Sequence, residues 1–367
     1  MCKDEIEQST HPTETCSAID RKGYKTLPVQ EAVGKVLAHD ITEIRQGEFK
    51  GRAFKKGHVI RPEDVEHLQR LGKNNIFLLE IDDDSLHEND AAFALTQSLI
   101  GDGVETEPEP KEGKLNLLAA RDGLLRVDKG ALFNFNMVGE VMCATLHTNS
   151  VVVKGQIVGG VRAIPLVVKK SIVNQAVTAA RKAEGCVSVR PLRKPKTGVV
   201  ITGNEVYTGK IEDKFLPVVQ TKIRRFEGDI IASHLAPDDA TYIVQKLREL
   251  IEAGADLLVI TGGLSVDPDD VTRFAVKMLG VTEMHYGAAV LPGSMFLIAY
   301  TQGSRGSIPI LCIPACGMYN GITIFDLVLP RILAGDHIGR QELAEMGHGG
   351  LCMQCKECHY PICPFGK

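Results

Sequence analysis

Leu257 to Thr272 reads LLVITGGLSVDPDDVT, and the order of residue types along it decides the fold. Leu257, Leu258, Val259 and Ile260 form an uninterrupted apolar run, the pattern of a strand buried on both faces of a parallel sheet. Gly262 and Gly263 then allow backbone N–H groups to approach an anion closely. Pro268, followed by Asp269 and Asp270, has the proline and acidic residues favoured in a first helical turn. The stretch is read as strand, phosphate-sized loop and helix. In open α/β sheets ligands sit beyond the carboxyl ends of strands, where this loop falls.

Outward from this stretch, residues from Lys196 alternate between strand and helix patterns. Gly198–Ile201 and Ile230–Ile231 read as strands, and Lys214–Phe226 as a helix. Asp238 and Asp239 cap a helix over Thr241–Ala253, whose inward stripe is Ile243, Val244, Leu247, Leu250 and Ile251. Further strands are expected at Met295–Tyr300 and Ile308–Ile313, and a final helix at Met318–Leu333. The fold class is α/β, a three-layer αβα domain over 196–335 with a mostly parallel sheet.

The remaining chain divides by composition. Residues 1–20 are polar and read as a flexible leader, and 21–85 as a small α+β unit. In that unit a short helix is expected after Pro28, over Leu27 to Leu37, a second over Arg61–Leu71, and a strand at Ile76–Ile81. Ser85–Ile100 suggests a helix at the start of a β-rich α+β connector, 86–190. A Cys-rich tail occupies 336–367.

The 367 residues carry 42 basic and 46 acidic side chains, a net charge of -4, which offers no global case for nucleic acid or an anionic membrane. No apolar run has the length of a membrane span and the first residues lack a signal-peptide core, so the expected location is cytoplasmic.

Two strand ends carry similar polar groups: Thr202-Gly203-Asn204-Glu205 with Asp213, and Thr261-Gly262-Gly263-Leu264-Ser265 with Asp267, Asp269 and Asp270. Neither is a Walker A or a dinucleotide loop. Together they offer backbone N–H groups and hydroxyls for phosphate, and carboxylates suited to Mg²⁺. Singly, each is also what a tight turn or a helix start looks like. In FKGRAFKKGH, residues 49–58, Arg52, Lys55 and Lys56 could hold an oxyanion, although runs of charge commonly face water.

KTGVVITGNEVYTGKIEDKF followed by DLLVITGGLSVDPDDVT resembles the molybdopterin-binding domain of molybdopterin molybdenumtransferases, molybdopterin adenylyltransferases and gephyrin-like proteins, over about 196–335. The GGLSV form and the early LPVQEAVGKVLAHDI are closer to the molybdenumtransferase branch. The resemblance implies that Gly262, Gly263 and Ser265 surround the pterin's terminal phosphate or AMP. It also implies that Glu205, Asp213 and Asp270 are the catalytic, Mg²⁺-associated acids, with Asp213 and Asp270 as metal ligands. Thr202, Gly203, Asn204, Thr261 and Asp267 complete the candidate cofactor-binding set.

The chain departs from that pattern in three places. The segment reading like SAMDGYA, with its catalytic aspartate, has no counterpart. A lysine-bearing KPGKP motif is replaced by Leu291-Pro292-Gly293-Ser294-Met295, and LPGNP by Ile313-Pro314-Ala315-Cys316-Gly317. Arg52, Lys55 and Lys56 could supply replacement charge.

The tail, LCMQCKECHYPICPFGK, places Cys352, Cys355, Cys358 and Cys363 at C-x2-C-x2-C-x4-C spacing, suited to Zn²⁺ or an iron-sulfur cluster. Unmetallated surface thiols are the alternative. Three functional readings follow. One is insertion of molybdate into adenylated molybdopterin with Mg²⁺-assisted release of AMP. The second is a non-catalytic pterin carrier whose tail senses metal or docks on other molybdenum-cofactor enzymes or molybdoenzymes. The third is adenylyl transfer. The resemblance further implies a homo-oligomer.

Overall fold

The computed structural model describes residues 24–45, 49–79, 81–180, 185–264, 271–304 and 306–367. The leader expected over 1–20 lies outside them. The first unit pairs strand Tyr24–Pro28 with Asn75–Leu79 and folds Ile41–Arg45 against Phe49–Phe54 as an antiparallel hairpin. A helix, Asp64–Arg70, closes it over a core of Val29, Leu37, Ile41, Phe54, Ile60, Leu68 and Ile76.

Two local expectations fail here. The helix after Pro28 is absent: the strand runs to Pro28, one 3-10 turn follows at Val29–Glu31, and Gly34 turns the chain at φ +81°. Its apolar residues serve different surfaces, so Val33 and Val36 are left exposed while Val29 and Leu37 are buried. Most of the expected basic loop, Phe49–Phe54, is a strand.

Residues from Ser85 to Arg190 form an α+β unit. Ser85–His87 is a strand paired with Val167–Lys169, and the helix begins at Glu88 and ends at Leu99. This helix, Lys129–Asn136 and Lys170–Ala180 pack on a sheet ordered Val104–Thr106, Lys114–Ala119, Ile157–Ala163, Val141–Thr145.

The C-terminal domain follows the expected alternation. Its elements are β1 (Lys196–Thr202), α1 (Asn204–Tyr207), α2 (Phe215–Arg224), β2 (Asp229–Ala236), α3 (Ala240–Glu252), β3 (Leu257–Thr261), α4 (Thr272–Met278), β4 (Glu283–Tyr286), β5 (Leu297–Gly303), β6 (Gly306–Ile313), α5 (Ile324–Leu333) and α6 (Arg340–Glu345). The sheet order is β2-β1-β3-β6-β5-β4. Strands β2, β1, β3 and β6 are parallel, and β5 and β4 each run antiparallel to the preceding neighbour.

Strand alternation makes the three layers. Val199, Ile201, Leu257, Val259, Leu311 and Ile313 face α2 and α5, whereas Val200, Leu258, Ile260, Ile310 and Cys312 face α3 and α4. All five residues of β3 are buried, because both faces are covered. Each large apolar side chain removed from water in this way contributes about 1.5–3 kcal/mol before entropy is counted. Helix α3 is started by Asp239, whose carboxylate accepts from the N–H groups of Thr241 at 2.8 Å and Tyr242 at 3.0 Å.

The last helix starts later than expected. Ala315–Met318 is a 3-10 turn, and α5 begins only after Thr323, whose N–H donates to Asp326 at 2.8 Å. Among the described residues no helix is long and apolar enough to cross a membrane.

Candidate functional site

Parallel register sets the site. Ile201 pairs with Thr261, and Thr261 with Ile313, so β1, β3 and β6 end level with one another. Their following loops therefore emerge on the same carboxyl edge. A cavity of about 510 Å³ opens there, walled by Gly262-Gly263-Leu264 after β3, by Leu291–Met295 before β5, and by Pro314-Ala315-Cys316 after β6. Leu351 and Gln354 of the tail complete it.

A ladder of threonines supports the glycine loop from behind. The Thr202 hydroxyl donates to the Thr261 carbonyl at 3.0 Å, and the Thr272 hydroxyl to the Gly262 carbonyl at 3.1 Å. This close packing explains the two glycines. Gly262 sits at φ +88°, where a Cβ would lie 2.7 Å from the Thr202 carbonyl oxygen; at Gly263, φ +60°, a Cβ would lie 2.4 Å from the Thr272 hydroxyl. Both positions exclude a side chain through backbone conformation and contact. The Gly262 N–H donates within the sheet to the Ile313 carbonyl at 3.4 Å, and the buried Thr261 hydroxyl has no partner among the described residues.

The neighbouring Thr202-Gly203-Asn204 loop is more structural than expected. Asn204 and Asp238 exchange two bonds, the Asn204 N–H to the Asp238 carboxylate at 3.0 Å and the Asp238 N–H to the Asn204 side-chain oxygen at 3.1 Å. Gly203 is buried, and Glu205 is exposed on α1.

Asp213, the expected metal ligand, also starts a helix. Its two carboxylate oxygens accept from the N–H groups of Phe215 at 2.8 Å and Leu216 at 3.1 Å, at the start of α2. Both oxygens are thus engaged in starting a helix. Ser265, Asp267 and Asp270 lie outside the described residues. Among the described residues no three His, Cys, Asp or Glu side chains are placed to hold a metal ion.

The basic residues are not brought to this cavity within the chain. Arg52 pairs with Asp40 at 3.1 Å, and the Lys56 ammonium lies 2.9 Å from His87 Nδ1. Lys55 is exposed on the turn that follows the hairpin strand. These groups lie at the seam between the first two units. No Lys or Arg is among the described residues lining the glycine-loop cavity. The two motifs whose lysine or polar positions differ from the resembled pattern, Leu291–Met295 and Pro314–Cys316, are the ones that wall it.

Arg273 is a candidate that the sequence reading missed. Its guanidinium carbon lies 4.6 Å from the centroid of Tyr286, whose hydroxyl donates to the Leu264 carbonyl at 2.6 Å. The Arg273 Nε is buried without a partner among the described residues. A basic residue in the first turn after DPDDVT was the available signal. Cys316 meets the cavity as a neutral thiol, because burial pushes its pKa up.

Fold and cavity together define an αβα ligand-binding domain with glycine-lined backbone and an apolar rim at its strand ends. A family model described as a "Probable molybdopterin binding domain" matches residues 198–334, and a domain of unknown function matches 26–80. A molybdopterin adenylyltransferase of Pyrococcus furiosus is 31% identical over 121 residues, covering 31% of this chain and 71% of that protein. The chain belongs to the molybdopterin-binding domain family.

A CinA-like protein of Mycobacterium tuberculosis is 34% identical over 77 residues, 21% of this chain. The match spans 18% of that relative's length. Among solved structures, a tungsten cofactor synthesizing protein, MoaB, from Pyrococcus furiosus aligns with a TM-score of 0.33 at 20% identity, covering 39% of this chain and 97% of that one.

Proposed function

We propose that the chain binds molybdopterin or adenylated molybdopterin at the glycine-loop cavity and acts in molybdenum cofactor biosynthesis. The finer reading is insertion of molybdate with release of AMP. The observation that carries binding is the convergence of three strand-end loops on one cavity of about 510 Å³, a volume suited to a small organic ligand. Leu291, Met295 and Leu351 offer apolar surface to a flat heterocycle, and the glycine loop offers backbone donors to its phosphate. Arg273 supplies positive charge from behind that loop.

The expected Mg²⁺ would draw on Glu205, Asp213 and Asp270. Asp213 would do so through the lone pairs that its two backbone N–H contacts leave free, and no catalytic step is routed through the ion.

A second reading, a carrier that holds the pterin without turnover, is favoured by the uncharged wall. Molybdate is a dianion, and transition-state charge needs preorganised positive groups near it. Adenylyl transfer is the third outcome, favoured by the likeness to the adenylyltransferase. Incubation of purified protein with adenylated molybdopterin, Mg²⁺ and molybdate, following AMP, and a parallel incubation with free molybdopterin, Mg²⁺ and ATP, separate them. Molybdate-dependent AMP release is expected for insertion, tight binding without release for the carrier, and adenylation of free molybdopterin from ATP for the third. Failure of the pterin and its adenylate to bind would sink all three.

A further inference from the structure

The cysteine tail is outside the function proposed above, and the structure gives it a defined place. The segment leaves α6, passes along the rim of the glycine-loop cavity and returns. Its start is tied down by the Leu291 N–H donating to Gly350 and the Cys352 N–H donating to Leu291, both at 2.8 Å. Its end is tied by the Gly366 N–H donating to Gly349 at 2.9 Å. Phe365 is buried in the domain core, and Cys352, Tyr360 and Cys363 pack against the same core. The ends of a seventeen-residue excursion are therefore fixed before any ligand binds.

Within this closed loop, Cys352, Cys355, Cys358 and Cys363 all line one cavity of about 400 Å³, whose opposite wall is Tyr319 to Ile322. Cys352 and Cys363 are half-buried, and Cys355 and Cys358 are exposed. In this conformation no three of them are placed around a common point. Bringing them together requires movement of the exposed 353–358 segment onto the half-buried pair, since the flanking chain is already held. Four thiolates and no carboxylate in the cavity lining select a thiophilic metal over Mg²⁺ or Ca²⁺. Gln354 lies between the second and first thiols and lines both this cavity and the glycine-loop cavity.

We propose that the four tail thiols form a single four-thiolate metal site, for Zn²⁺ or iron, whose closure braces the rim of the glycine-loop cavity through Leu351 and Gln354. The proposal does not depend on what fills that cavity. Metal binding releases the thiol protons that remain, and no electron transfer is involved when Zn²⁺ is the probe.

The test uses the full chain, prepared anaerobically, stripped with a chelator and titrated with Zn²⁺ against a chromophoric indicator. One equivalent is expected to bind, slowing iodoacetamide alkylation of the four tail cysteines about tenfold or more while Cys316 is unaffected. Hydrogen exchange at the Leu291 and Cys352 amides should slow on binding. The exposed-site double variant Cys355→Ser/Cys358→Ser should lose the equivalent; the alkylation footprint on the unaltered chain serves if that variant does not fold. A visible absorption band and iron in the untreated anaerobic protein would equally support the site. Absence of native metal together with no stoichiometric Zn²⁺ uptake would overturn it. Uptake that leaves all four cysteines reactive would do the same, and uptake without any change at the Leu291 and Cys352 amides would overturn the bracing.

Discussion

The glycine-loop cavity and the polar seam between the first two units are opposites in construction. The cavity is walled by backbone, glycine, proline and apolar side chains. The seam concentrates charge: Arg52 with Asp40, Lys56 with His87, and Arg162 within 3.7 Å of Glu88. Read from composition, the seam is the more attractive anion site. In the fold its cations already have partners, while the cavity has open backbone geometry and few competing side-chain pairs. Charge in a sequence is therefore a weaker guide to a ligand than conformational freedom held rigid at strand ends.

The comparison would be sharpened most by Gly263→Ala. The new methyl meets the Thr272 hydroxyl at a left-handed backbone position, and pterin binding should weaken by about 100-fold as the loop shifts. Calorimetric titration reads this; unaltered affinity would remove the loop from the site. Arg273→Met comes next, with about tenfold weaker binding of the phosphate-bearing pterin and little change for a dephosphorylated analogue. Equal losses for both ligands would assign Arg273 a packing role on Tyr286.

Asp213→Ala separates cap from catalyst. Loss of the α2 cap should cost about 1 kcal/mol in denaturant unfolding while any turnover per folded molecule is retained. A selective collapse of turnover would place Asp213 in the acidic set, and Glu205→Ala with unchanged binding and turnover would remove Glu205 from it.

At the seam the expected effects are smaller. Burial is the leading cause that lowers the pKa of both His39 and His87 below the ordinary 6.5. A histidine with a depressed folded-state pKa contributes stability that is full above its unfolded value and lost as pH falls from there toward the folded value. Melting temperature should therefore fall on acidification below pH 6.5, with His87→Gln flattening the profile. Lys56→Met should alter pterin affinity by less than about twofold. A tenfold loss would mean that the seam reaches a ligand site, in this protomer or a second one, and would break the contrast.

Several elements were legible because their signals are local. The apolar run Leu257–Ile260, the Asp239 cap and the stripe of α3 all reappear, since periodicity and capping depend on neighbours in sequence. The Leu27–Leu37 segment was misread because its apolar residues serve a strand and a turn, with no shared helical face. The α5 start was misread because Thr323 and Asp326 form a capping box downstream of an unrelated 3-10 turn. Asp213 carries the right residue type for a metal, and only the tertiary structure shows that its carboxylate also receives the α2 N–H groups.

By itself the sequence determined the alternation of buried strands and capped helices, the two glycines that demand positive φ, and a family membership carried by motifs contiguous in the chain. Tertiary structure alone decided which loops share a cavity, because parallel register brings Thr261 and Ile313 level across fifty residues of intervening chain. It also decided that Arg52 and Lys56 are spent at a seam and that Gln354 touches both cavities. Those outcomes depend on distances between residues remote in sequence, which residue types and spacing do not encode.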